Sequence, residues 1–132
     1  MVVRKTVNFS DICISYVEWN RGETPLLLLH GLADHSLVWS SLGDYLSKNY
    51  HIVAPDLRGH GDSSKPLSGY KTADYINDLT RLMDHLGWTA ANILCHSWSS
   101  KIATIWATEN PEKFKSLMLI DPFFIGRMPN SS

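Results

Sequence analysis

The chain of 132 residues holds two cysteines, Cys13 and Cys95. Two cysteines so far apart give neither a disulfide framework nor a paired metal-ligand spacing. No apolar run approaches the roughly 18 residues that a membrane span needs. No basic start precedes an apolar core of the secretory type. Charge of one sign is also missing: the net charge is −1, which leaves no electrostatic footprint for nucleic acid or an anionic membrane. These absences make a reducing cytoplasm the expected location, and they imply no metal and no organic cofactor. What remains is 44% hydrophobic and 19% charged, the balance of a globular domain large enough to bury a real core.

Val2–Phe9 and Ile12–Trp19 are rich in β-branched and aromatic residues and flank Ser10-Asp11, which predicts an antiparallel hairpin. Leu26–Leu29 is a continuous apolar run, the pattern of a strand buried on both faces. Ser36 is placed to cap a helix carrying Val38, Trp39, Leu42, Tyr45 and Leu46 on one face. His51–Ala54 predicts a second buried strand, and Pro55–Gly69 a long loop of Gly, Ser, Asp and Pro. From Thr72 the spacing turns helical through Ala73, Ile76, Leu79, Leu82, Met83 and Leu86, with Gly87 as the stop. Ala91–Leu94 is a third buried strand and Trp98–Thr108 another helix, ended near Asn110-Pro111. Lys115–Ile120 is a last strand, and an irregular tail opens at Asp121-Pro122.

Strands alternating with helices predict βαβ units, hence an α/β fold with a mostly parallel sheet behind the opening hairpin. In such sheets ligands bind beyond the carboxyl ends of the strands. Four suggestive stretches fall on those ends: His30-Gly31-Leu32, Asp56 onward, His96-Ser97-Trp98, and Asp121. A serine hydroxyl needs a base, an orienting acid and an oxyanion site before it becomes a nucleophile. A sharp strand–serine–helix turn exposes the Oγ and aims a helix N-terminus at developing negative charge. Such a turn needs small residues two before and two after the serine, and these positions hold Cys95 and Ser99. By itself "ILCHSWSSK" reads equally as a capped helix start.

Three stretches in order, "LLLLHGLADHS" (26–36), "DLRGHGDSSKP" (56–66) and "ILCHSWSSK" (93–101), resemble the N-terminal half of the α/β-hydrolase fold. The resemblance covers nearly the whole chain and is most similar to hydrolases of the epoxide hydrolase, haloalkane dehalogenase, esterase and C–C hydrolase type. It implies Ser97 as nucleophile and the backbone N–H groups of Leu32 and Trp98 as oxyanion donors. It implies that Gly31 lets the backbone approach a small-molecule substrate where a Cβ would intrude, and that His30 orients its loop. Asp56, Arg58, Gly59, His60 and Gly61 would hold the second loop over the site, Arg58 either as a structural ion pair or directly. Trp98 is expected near the site, and Trp39, Phe123 and Phe124 either line an apolar pocket or fill the core. A serine where epoxide hydrolases and haloalkane dehalogenases use a carboxylate points to ester, thioester, lactone or carbon–carbon bond hydrolysis. A His-Ser elbow is shared with cofactor-independent dioxygenases as well.

The six histidines, His30, His35, His51, His60, His85 and His96, do not occupy the place of the family's catalytic histidine, which follows the last strand. Asp121 is the one candidate acid, and is equally explained as a turn starter. Residues 1–132 are therefore expected to be the N-terminal half of a hydrolase core, ending where a cap domain is inserted, and inactive alone. An open sheet edge would then invite a complementing C-terminal half or self-association. The competing reading is a non-catalytic module of the same fold that binds a ligand or partner.

Overall fold

The computed structural model describes residues 2–122. The opening hairpin forms as β1 (Val2–Asn8) and β2 (Cys13–Asn20), paired antiparallel. The strands β3 (Thr24–Leu29), β4 (Tyr50–Pro55), β5 (Ala91–His96) and β6 (Phe114–Ile120) complete a six-stranded sheet in the order β1-β2-β4-β3-β5-β6. β3 pairs in parallel with β4 and β5, and β5 with β6, while β2 joins β4 antiparallel. The fold is the expected α/β arrangement, a mostly parallel sheet behind an opening antiparallel hairpin.

The apolar run of β3 is buried on both faces because each face carries its own core. Leu27 and Leu29 join Ile93, Leu79, Leu82 and Ile102 on the side of the helices α2 (Thr72–Leu86) and α3 (Ser99–Glu109). Leu26 and Leu28 join Trp19, Trp39, Ile52 and Leu94 on the side of α1 (Ser40–Leu46). Alternate side chains of one strand thus feed two layers. Gly87 ends α2 in the left-handed conformation, φ 72°, as a C-terminal stop requires.

The region before α1 departs from the sequence expectation. Ser36 does not cap it: a 3₁₀ turn, Ser36–Trp39, comes first, and the His35 side chain accepts the Leu37 N–H at 3.2 Å. The tighter turn changes the angular phase at which side chains project. Trp39 is buried, but Val38 is 49% exposed and Tyr45 81% exposed, so the expected apolar face is only partly internal. In α2, Ala73 likewise faces solvent. Gly43 is where α1 touches the sheet, since a Cβ there would stand 2.4 Å from Trp19 Cζ2.

Among the described residues β6 is bonded to β5 on one side only, and Met118, Leu119 and Ile120 are exposed. Beside it, on the α1 face, lies a groove of about 590 Å³ lined by Leu26, Leu42, Leu46, Leu94 and Met118, among others. Among the described residues no helix is long and apolar enough to cross a membrane.

Candidate active site

The carboxyl ends of β3, β4, β5 and β6 meet at one edge of the sheet, and each leads into one of the stretches singled out above. The turn after β5 is the tightest of them. Ser97 has φ 56°, a left-handed conformation that side chains other than glycine, asparagine and aspartate seldom adopt. Its backbone N–H donates to Ile120 O at 2.9 Å, and its own carbonyl accepts the Ser100 N–H at 3.1 Å as α3 begins. The half-buried serine therefore stands on a strained strand-to-helix corner at a helix N-terminus. Of its small flanking residues, Cys95 is wholly buried, and burial pushes its thiol far up the pKa scale. Ser99 is also wholly buried.

Gly31 packs directly against this corner. A Cβ on it would lie 3.3 Å from Ser97 Cβ and 3.5 Å from His96 Nδ1. The absent side chain thus lets the loop after β3 close onto the serine itself. His30, just before, has no exposed surface. Its Nε2 accepts the Leu57 N–H at 3.0 Å, so its Nδ1 carries the proton and donates to Gly31 O at 2.7 Å. Burial is the main force that lowers the His30 pKa to about 4, which keeps the ring neutral. The ring acts as a strut joining two loops, and its buried position sets it behind Gly31 rather than at the surface of the site.

The loop after β4 is held by charge. Asp56 is buried, accepts the N–H groups of Ser36 at 2.7 Å and Asp62 at 3.0 Å, and takes a charged hydrogen bond from Arg4 at 2.9 Å. Burial pushes its pKa up, but those donors together outweigh burial and hold it below the ordinary carboxylate range. Gly61, at φ 50°, leaves room for that carboxylate, whose carbon a Cβ would approach to 2.4 Å. Arg58 forms a two-pronged pair with Asp78 of α2, at 2.7 Å and 2.8 Å, and also donates to Gly69 O at 2.7 Å. Of the two roles open to Arg58, the geometry carries the structural ion pair. His60 donates from Nδ1 to Arg58 O at 3.0 Å, since a carbonyl can only accept. Its ring lies 4.9 Å from that of His30 and 5.8 Å from that of Trp98.

Above these loops opens a cleft of about 480 Å³. Leu32, Ala33, Gly59, His60, Tyr70, Tyr75 and Trp98 line it, and no Asp, Glu, Lys or Arg side chain is among them. Tyr75 meets the Trp98 ring edge-on at 5.1 Å, and burial first of all pushes its hydroxyl pKa up to about 12, so it stays neutral. The cleft brings Leu32 and Trp98 together beside Gly31 and Ser97. Asp121 follows Ile120 at the end of β6, exposed, with φ 46°. Trp39 is buried beneath the site, with its ring edge-on to His96 at 6.4 Å. Phe123 and Phe124 lie outside the described residues.

Several contributors escape a sequence reading: Asp78, Arg4, the aromatic wall of Tyr70 and Tyr75, and the Ser99 hydroxyl. Asp78 alone left a trace, as an acid inside the apolar stripe of α2 between Tyr75, Leu79 and Leu82.

Comparison with known proteins agrees with this geometry. The family model for the alpha/beta hydrolase fold matches residues 24–132. The soluble epoxide hydrolase of Corynebacterium sp. (strain C12) is 33% identical over 97 residues, covering 74% of this chain and 34% of that protein. The crystal structure of Cfl2 from Burkholderia cenocepacia superposes with a TM-score of 0.89 at 27% identity, over 99% of this chain and 45% of that one. A thioesterase domain from the curacin biosynthetic pathway gives 0.86 at 27% identity, over 98% and 49%. The chain therefore spans between a third and a half of the length of these relatives. With an ordered set of loops at the sheet's carboxyl edge, a strained serine corner and a family match over most of its length, the chain belongs to the α/β-hydrolase fold family.

Proposed function

We propose that Ser97 is the nucleophile of a serine hydrolase that cleaves ester, thioester, lactone or carbon–carbon bonds through an acyl-enzyme. The observation that carries this reading is the left-handed Ser97 on the corner between β5 and α3, with Gly31 packed against it. Strain of this kind costs of order 1–3 kcal/mol and persists where the surroundings impose it. In the reaction, Ser97 Oγ attacks the substrate carbonyl carbon and a base takes its proton. The carbonyl oxygen, now negative, is met by the N–H groups of Leu32 and Trp98. The proton then passes to the leaving group, and water releases the acyl group by the same steps. Hydrolase and thioesterase relatives support a hydrolytic reading. A serine in the nucleophile's place sets this chain apart from the carboxylate chemistry of epoxide hydrolases.

The base is the missing element. Among the described residues no histidine is hydrogen-bonded to the Ser97 hydroxyl, and a base must hold one ring nitrogen free to take its proton. We take residues 1–132 as the N-terminal half of the catalytic domain, with the histidine and acid supplied by a second half seated on β6 and its apolar groove. Asp121 is the alternative acid, favoured by the Ile120 carbonyl that holds Ser97. The two free thiols fit a reducing cytoplasm. The same lack of a histidine partner for Ser97 among the described residues favours a second reading, a binding module that keeps the cleft without turnover.

Turnover of a p-nitrophenyl ester decides between them. The 132-residue chain is expected to be inactive. The longest chain its gene encodes is expected to turn over, with Ser97→Ala lowering kcat by about 10⁶-fold. Turnover by the 132-residue chain that Ser97→Ala abolishes would refute the need for a second half. Turnover of the longer chain that survives Ser97→Ala would refute the nucleophile, and no turnover would favour the binding module.

A further inference from the structure

We propose that Ser99 is a positioning residue that sets the gap between the two candidate oxyanion donors, Leu32 and Trp98, by tying the serine corner to the end of β3. The inference rests on the reading of Ser97 as nucleophile and adds a residue to it. The Ser99 Oγ lies 3.1 Å from Leu29 O and 3.1 Å from His96 O, and it accepts the His96 N–H at 3.3 Å. A hydroxyl has one proton, so it serves one carbonyl at a time. Either choice keeps the oxygen in the crevice between the ends of β3 and β5.

The two donors come from segments far apart along the chain. Their register is transmitted by the β3–β5 ladder, whose last pair is Leu29 with Cys95. Beyond that pair β3 ends, and no further ladder pair joins its loop to β5. Ser99 Oγ extends the connection past the ladder: Leu29 leads through His30 and Gly31 to Leu32, and Ser99 directly follows Trp98. On the other flank, the Ser97 N–H to Ile120 O bond anchors the same corner to β6. The corner is therefore clamped between β3 and β6, and a residue without a hydroxyl at 99 would release one jaw. Preorganised donors lose effectiveness when displaced by even about 1 Å. Two further observations agree. Ser99 is wholly buried, so its hydroxyl is shielded from bulk water, and Gly31 already touches Ser97 across the same seam.

The test uses Ser99→Ala and Ser99→Gly with two readouts. In the 132-residue chain, Ser99→Ala is expected to shift the backbone amide resonances of Gly31 and Leu32 while those of β1 and β2 stay in place. Unmoved Gly31 and Leu32 resonances would overturn the proposal, whatever Ser97 does. In the longest chain the gene encodes, both variants are expected to lower kcat for ester hydrolysis about tenfold with KM within about twofold. Unchanged kcat, or a loss confined to KM, would overturn it. Shifted amides together with turnover that survives Ser97→Ala would leave the bridge standing and remove the nucleophile. Failure of both variants to fold would assign Ser99 to stability alone and overturn the positioning role.

Discussion

The loop after β4 and the corner after β5 leave the sheet at the same edge, yet they spend their polar groups in opposite ways. In the first, nearly every residue that looks chemical is consumed by structure. Asp56 takes two backbone N–H groups and Arg4, Arg58 is locked on Asp78, and Ser63 donates to the Asp56 carbonyl. In the second, the backbone of Ser97 is bent into a left-handed turn and the side chain is only half-buried. A saturated loop fixes geometry, and a strained corner presents the proposed nucleophile. Among the described residues, charge and histidine build the scaffold around the proposed site, while small neutral residues form the corner that carries the proposed nucleophile.

That contrast can be broken most sharply at Asp78. Asp78→Ala leaves Arg58 buried and without its carboxylate, and should cost about 3–5 kcal/mol by urea unfolding. A cost under 1 kcal/mol would show that the loop does not depend on the pair. Acid comes next. The unfolded His30 ring takes up a proton near its ordinary pKa of 6.5, and the folded ring only near about 4. The unfolded state thus binds more protons between these values, so stability falls as pH drops through that window, by about 3 kcal/mol. Asp56, held below the ordinary 3.8, loses its contribution only at lower pH. His30→Gln should flatten the stability profile between pH 6.5 and 4, and an unchanged slope would place the titrating group elsewhere. The smallest effect belongs to the corner. Ser97→Gly should raise stability by about 1 kcal/mol through relief of the left-handed strain, read as a higher urea midpoint. A lower midpoint would mean that the turn is not strained.

Much of this was legible in the sequence because it is local or periodic. The apolar runs, the helical spacing of α2 and the stop at Gly87 each depend on neighbours within a few residues, and all four stretches at the sheet edge stand where they were expected. What escaped depends on partners distant in the chain. Arg58 finds Asp78 across 20 residues, and Ser99 finds Leu29 across 70. No spacing rule connects such pairs before the sheet brings them together. The misjudged face of α1 has another cause: one 3₁₀ turn shifts the projection of Val38 and Tyr45, and residue type alone carries no sign of the shift.

The place of β3 in the sheet has a consequence for how the chain is made. It is central in space but flanked by β4 and β5, which both follow it in sequence. While the ribosome is adding the next roughly 60 residues, several seconds at ordinary rates, Leu26–Leu29 has no second neighbour and no complete layer over either face. A segment buried on both faces of the finished sheet is thus uncovered in the nascent chain, a stretch on which a chaperone would find a hold.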